Sequence, residues 1–261
     1  MTNYPGKQFG LFRICLGLYL LVHLTLASMH YSDFLWPLLM TPEPITPAPY
    51  WLFPLGSLLS LLFLAGTLRR ISAIGLWIIL RILVYKNIFY YGMNLDYVGF
   101  LLILSLFVPS GEPWSLTKNN PNWKMPNEVY WGAWIVFTLS MTISGLNKIL
   151  ISPEWRSGDT LRILLTDSAA YYFENIKLLA LQFPLGMKVI TWMTLVVETV
   201  SIAALLKQSF RFYYSVLTFF IFLFTALFVV MREIAICVLI FELLLFDFDF
   251  YRKKWHEKTI L

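Results

Sequence analysis

Apolar residues in this chain run in blocks of about 20, separated by short polar or proline-rich connections, and do not alternate with polar ones at the period of a half-buried strand. A window of about 19 residues places eight such blocks, near 10 to 28, 51 to 68, 71 to 91, 93 to 109, 129 to 150, 186 to 206, 210 to 230 and 232 to 249. Blocks of that length match the thickness of a bilayer's hydrocarbon core. The pattern therefore predicts an all-α integral membrane protein of about eight transmembrane helices, with residues 1 to 261 forming a single polytopic domain. Seven spans is the alternative count. The third block carries Arg81 and Lys86, and the last two are joined only by Met231-Arg232.

Two connections stand apart. The segment from His30 to Tyr50 contains Pro37, Pro42, Pro44, Pro47 and Pro49 and cannot be one regular helix. Residues 148 to 187 mix Glu154, Arg156, Asp159, Arg162, Asp167, Glu174 and Lys177 with Leu, Ile, Trp and Tyr, the composition of helices lying in a membrane interface. Long ordered connections of this kind tend to carry function.

Composition agrees with the pattern. The 261 residues are 59% hydrophobic, 18% aromatic and 13% charged, with mean hydropathy +0.69, whereas soluble domains run at about 25% charged. Charge then adds orientation, because Lys and Arg gather in cytoplasmic connections. Lys7, Arg13, Arg69, Arg70, Lys118, Lys124, Lys207, Arg211 and the cluster Arg252, Lys253, Lys254, Lys258 fall on one side, and the 29 to 50 segment has neither Lys nor Arg. Both termini are thus expected in the cytoplasm, the protein in the plasma membrane and residues 148 to 187 on the outer face. The net charge of +5 is accounted for by these anchors and implies no nucleic-acid partner. The tail from Phe246 through the Arg252 cluster reads as an interfacial stop touching anionic lipid.

Several chemistries lack their residues. His23, His30 and His256 are too scattered for a metal site, and no phosphate-binding glycine loop, G-x-S-x-G elbow or H-E-x-x-H helix occurs. Cys15 and Cys237 both lie in apolar blocks. What remains is a short list of charges inside or at the edge of spans, where an ionisable group must be neutral, paired or facing water. Arg81 and Lys86 lie about 140° apart on a helix; Lys86 could reach the outer interface and Arg81 could pair with Glu198 or Glu242. Glu198 is the most isolated acid. Glu233 follows Arg232 near the outer surface, and Glu242 and Asp247 read as interfacial. Lys148 closes the fifth span, where a lysine commonly complements the helix dipole but can also serve as a base. Trp51, Trp131 and Trp134 fit an interfacial aromatic belt.

Taken together, Leu11-Phe12-Arg13-Ile14-Cys15-Leu16-Gly17, Arg69-Arg70-Ile71-Ser72, Tyr97-Val98-Gly99-Phe100 running through Val108-Pro109-Ser110-Gly111 to Trp114-Ser115-Leu116, and Ser144-Gly145-Leu146-Asn147-Lys148 followed by Trp155 and Gly158 resemble the HTTM domain. That membrane domain is shared by the vitamin K-dependent gamma-glutamyl carboxylase and many bacterial proteins. The smaller DoxX family has a similar Gly-x-x-Lys ending but does not account for the length. The resemblance implies that Lys148 is a base acting on a quinone-like molecule at the outer face, and that Arg81, Asn94 and Glu198 lie in or near that site. The departures are Met93-Asn94-Leu95-Asp96 in place of the carboxylase's Asn-Asn-His, and no large lumenal region. Protein gamma-carboxylation is therefore not carried over.

The sequence leaves three functions in order. The first is a membrane enzyme using Lys148 on a quinone, lipid or peptide, with Arg81, Lys86, Asn94, Trp155, Arg156 and Glu198 shaping the site. The second is a non-enzymatic factor for maturation, export or immunity of a secreted peptide, or a partner of another membrane subunit, since an HTTM branch includes the membrane component of the sporulation-delaying toxin maturation system. The third is a small-molecule transporter, which the absence of internal repeats disfavours.

Overall fold

The computed structural model describes residues 4–31, 48–86, 93–117, 120, 122–166, 174–229 and 232–246. Among the described residues it is all-α apart from a two-residue ladder in which Tyr4 pairs with Met125 and Pro5 with Lys124. The chain divides into two compact units, Met1–Tyr130 with Asp247–Leu261, and Trp131–Phe246.

The first unit contains α1 (Lys7–Met29), α2 (Leu52–Ala65), α3 (Arg69–Lys86) and α4 (Met93–Leu106), each packed on the next. On α1 the buried side chains Phe9, Phe12, Leu16, Leu20 and Leu24 recur at three- and four-residue steps, which places them on one face. The opposite face is equally apolar, with Leu18, Val22 and Leu26 about half exposed at 51%, 49% and 51%. Helices apolar all round are either buried or surrounded by lipid. The 23 residues of α1 are long and apolar enough to cross a membrane.

One buried cluster organises an end of this unit. Arg13 of α1 and Arg69 at the start of α3 both direct Nε at Glu112 Oε1, at 3.4 and 3.0 Å, and all three side chains are almost wholly inaccessible. Their remaining donors go to backbone carbonyls. Arg13 donates to Phe63 O at 3.1 Å, to Leu64 O and to Trp114 O at 2.9 Å. Arg69 donates to Ser105 O, to Val108 O at 2.7 Å and to Pro109 O at 3.3 Å. Phe63, Leu64 and Ser105 lie in the last turns of α2 and α4, where carbonyls have no partner within the helix. The two guanidiniums therefore cap two helix ends at once. Gly66 makes this possible: its φ of +74° ends α2, and a Cβ there would stand 2.9 Å from an Arg13 nitrogen. Arg13 and Arg69, expected from sequence as anchors at the membrane surface, are instead internal caps.

The second unit contains most of α5 (Asn127–Ile151), then α6 (Pro153–Ser157), α7 (Thr160–Thr166), α8 (Glu174–Gln182), α9 (Pro184–Thr199), a short 3-10 turn (Ser201–Leu205), α10 (Gln208–Phe228) and α11 (Arg232–Leu245). Its core holds Trp134, Phe137 and Phe241, with Phe137 edge-on to Phe241 at 5.5 Å. Trp134 is thus a core residue and not part of an interfacial belt. Glu242 is likewise fully buried and not interfacial. Between α5 and α9, the described residues of the 148 to 187 segment form α6, α7 and α8.

Helix lengths refine the expected spans. Among the described residues three helices, Lys7–Met29, Asn127–Ile151 and Ser209–Phe228, are long and apolar enough to cross a membrane. Asn175–Gln182 and Pro184–Thr199 would make a fourth span together, although they bend by 95°. The bend falls where Pro184 lacks the N–H that would continue a helix. Each of the other predicted blocks contains a helix among its described residues, but α2, α4 and α11 have only 14 residues, about 21 Å at 1.5 Å per residue. Replacing Glu112 by Gln leaves two buried guanidiniums without a counter-charge. The loss expected for breaking a buried pair is about 3–5 kcal/mol, measured as unfolding in detergent, whereas Arg70→Gln, at an exposed position, should stay within about 0.5 kcal/mol.

Candidate functional site

The second unit brings Lys148 and Glu198 together. Lys148 Nζ donates to Glu198 Oε1 at 2.5 Å and Oε2 at 2.6 Å, and Ser144 Oγ adds a bond to Oε2 at 3.3 Å. The Glu198 side chain is 8% exposed and that of Lys148 25%. Trp155 covers the ammonium from another side, with Nζ 4.3 Å from its ring centroid, a cation–π contact. Glu198 is accommodated in its apolar helix by pairing with Lys148.

The pair forms because α5 and the end of α9 approach very closely. A Cβ on Gly145 would meet Thr199 N and Oγ1 at 2.7 Å, so only a residue without a side chain fits. Thr138, Thr142, Gly145 and Lys148 follow one another at three- and four-residue steps on α5, and all but the glycine bond across this seam. Ser201 Oγ donates to Thr138 O at 2.7 Å, Ile202 N donates to Thr142 Oγ1 at 3.2 Å, and Thr142 and Ser201 hydroxyls meet at 2.8 Å. The Thr142 hydroxyl thereby satisfies Ile202 N, a backbone group released where α9 gives way to the 3-10 turn, which helps a helix to break within an apolar environment. The predicted continuous span near 186 to 206 is therefore α9 plus a turn, and Glu198 sits beside the break.

Beside the pair lies a cavity of about 290 Å³. Lys148, Trp155 and Glu198 form its polar end with Thr191 and Thr194, while Leu161 and Leu164 of α7, Ile190 of α9, Phe220, Ile221 and Phe224 of α10 and Ile234 of α11 make the rest largely apolar, with Thr225 of α10 its one hydroxyl. A volume near 300 Å³ is at the small end for small-molecule sites, which are typically apolar with a few polar groups fixing orientation.

The short helices that roof the cavity are tied to α9. Trp192 Nε1 donates to Arg156 O at 3.1 Å, Leu161 N donates to Thr191 Oγ1 at 3.3 Å, and Asp159 faces Lys188 at 3.7 Å and Arg162 at 3.6 Å. The Ser157 hydroxyl, helped by these two cations, holds the Asp159 carboxyl below its usual range. Arg156 contributes its carbonyl; its side chain is exposed. Glu154 is also held low, by its own backbone N–H and by Ser152.

Of the other expected site residues, Arg81 is described within the first unit, on α3, where its guanidinium lies against Gly99 of α4 at 3.0 Å from the position of a Cβ. The side chains of Lys86, Asn94 and Asp96 lie outside the described residues, as do the Pro-rich segment 32–47 and the tail from Asp247. Among the described residues no group of three or more His, Cys, Asp or Glu comes together. Sequence reasoning passed over Thr138, Thr142, Thr191 and Thr194, and took Ser144 and Gly145 only as part of a motif. A line of small and hydroxyl residues at helical spacing within an apolar helix was the available signal.

No family model, curated protein or solved structure matches the chain.

Gly145→Ala forces α5 and α9 apart, with an expected loss of about 1–3 kcal/mol, the usual range for overpacking. A cycle of Lys148→Met, Glu198→Gln and the double variant should show coupling, with the double variant less destabilised than the sum of the two singles. Because the folded Asp159 carboxyl titrates low, its contribution is complete above the ordinary carboxylate range of about 3.9 and fades only as pH falls through the lowered folded value. Trp192 emission should accordingly hold steady from pH 7 to about 4 and change below it.

Proposed function

We propose that the chain is an integral membrane protein whose eight helical segments each traverse or enter the bilayer, with both termini in the cytoplasm, and that the cavity beside Lys148 and Glu198 binds a membrane-soluble amphiphile. In that topology the residues lining the cavity come from the outer ends of α5, α10 and α11, from α9 between Ile190 and Glu198 and from α6 and α7, so the site opens toward the outer leaflet. The short apolar helix α8, with Leu178, Leu179 and Leu181 about half exposed, then lies in the interface.

The observation that carries this reading is a close, doubly bonded Lys–Glu pair forming the polar end of an otherwise apolar cavity. An apolar body fits the cavity wall, and the pair recognises a single acidic group, such as the hydroxyl of a quinol or the headgroup of a lipid. The volume suits such a molecule better than a folded peptide. The pair can also do chemistry. When the ligand's hydroxyl proton passes to the pair, Glu198 receives it as a carboxylic acid and the Lys148 ammonium remains to hold the new oxyanion, which is stabilised strongly in a site with little water. Lys148 is also the residue to which the HTTM resemblance assigns a base. Here the proton acceptor is the pair acting as a unit, with the lysine supplying the positive charge.

The test is mass spectrometry of molecules that co-purify with the protein in lipid nanodiscs. An amphiphile with one ionisable group should be retained by wild type, be reduced at least tenfold in Lys148→Met and Glu198→Gln at equal protein, and remain in Arg156→Gln. Equal retention in all four would reject the site and leave the pair as a strut between helices. The topology is tested separately by labelling single cysteines placed at Lys253 and Ser157, expected to react from the inside and outside respectively.

A further inference from the structure

The first unit carries a cavity of its own, of about 360 Å³, where the connection after α4 folds back on the turn between α2 and α3. Leu116 N donates to Ala65 O at 3.0 Å, and the Ser115 and Thr117 hydroxyls both reach Gly66 O, at 3.2 and 3.4 Å. These bonds hold the connection in place. Arg69 and Arg70, in the first turn of α3, line the cavity together with Ser110, Ser115 and Thr117 of the connection.

The charge at this end of the unit is unbalanced. Arg13 and Arg69 share the single carboxylate of Glu112, while Arg70 donates only to Val108 O, at 3.3 Å. Among the described residues no acid pairs with Arg70, so most of its five N–H donors remain for a ligand. The exposed Ser110 hydroxyl lines the same cavity, and α3 begins here, which adds the positive end of its dipole. A planar guanidinium with a spare donor fork is the group that best matches a phosphate.

The surroundings of this polar cavity are apolar and exposed. Leu68 and Ile71 line it and are themselves more exposed than buried. From Ile71 the exposed side chains Ile74 and Ile78 follow at three- and four-residue steps along α3, which sets the three in one stripe leading away from the cavity. The stripe runs for about 10 Å at 1.5 Å per residue. A free phosphate ion gains nothing from it, whereas an acyl chain buries it. We propose that this cavity binds the headgroup phosphate of an anionic phospholipid, with Arg70 as the principal charge and an acyl chain lying along Ile71, Ile74 and Ile78. In the topology proposed above the lipid belongs to the cytoplasmic leaflet, where anionic headgroups attract basic residues. Binding itself does not depend on that topology or on the Lys148–Glu198 site.

Native mass spectrometry of the full chain in detergent, titrated with phosphatidylglycerol or phosphatidylcholine, tests it. Wild type should retain phosphatidylglycerol in preference to phosphatidylcholine, whose choline cancels the phosphate charge. Arg70→Gln removes the cation, and Ser110→Phe fills the cavity at an exposed position while leaving every charge in place. Each should weaken phosphatidylglycerol retention about tenfold, the loss of one charge-assisted contact, with helix content by circular dichroism equal to wild type. Lys207→Gln, an exposed cation expected at the same membrane surface but outside the cavity, should retain the lipid as wild type does, and so should Lys148→Met. Equal retention of the two lipids by wild type overturns the proposal, as does wild-type retention in Arg70→Gln or Ser110→Phe. Displacement of the lipid by excess inorganic phosphate also overturns it, because the apolar stripe would then contribute nothing. The Lys148→Met arm keeps this result separate from the co-purification experiment.

Discussion

A charge buried among apolar groups costs several kcal/mol unless an opposite charge and enough hydrogen bonds surround it. In a chain where 59% of residues are hydrophobic, that requirement decides which side chains meet. In the first unit it gathers Arg13 and Arg69 onto Glu112 and sends their spare donors to the carbonyls that end α2 and α4. In the second it binds Lys148 to Glu198 and calls in Ser144 and Trp155. Each unit thus has its own centre of charge, and helix ends, glycines and hydroxyls are arranged around it.

The two centres differ in what they leave over. Around Glu112 the guanidinium donors go to the carboxylate and to carbonyls, with almost nothing exposed, which suits a cap. Around Glu198 one partner keeps a quarter of its side chain accessible and borders a cavity. A polar group that is fully bonded yet reachable is suited to exchange partners with a ligand, whereas a group sealed by backbone carbonyls is not. That difference, more than charge alone, separates a site from a strut.

Much of the fold was legible in the sequence because long apolar blocks leave little choice but helix, and helices stand at each of the eight blocks. Lys148, Glu198 and Trp155 were legible as well, since charges in apolar segments are scarce and each demands a partner. Their mutual contact was not. Fifty residues separate Lys148 from Glu198, and the pairing depends on Gly145 admitting Thr199 and on a helix break that periodicity does not register. Glu112 was hidden for the opposite reason: it lies in a polar connection where an acid attracts no attention, and its role appears only when two distant arginines converge on it. Counting Arg13 and Arg69 as surface anchors followed from their position at block ends, a rule that is blind to whether the side chain turns outward or inward.

The central claim is that the Lys148–Glu198 pair is the polar end of a ligand site. The most direct measurement is an electron cryomicroscopy map of the protein in native-lipid nanodiscs. The account predicts elongated non-protein density in the cavity, its polar end within hydrogen-bonding distance of Lys148 Nζ or a Glu198 oxygen and its body against Phe220, Phe224 and Ile190. A cavity closed by these protein side chains, with the ion pair intact and no density beside it, would contradict the account.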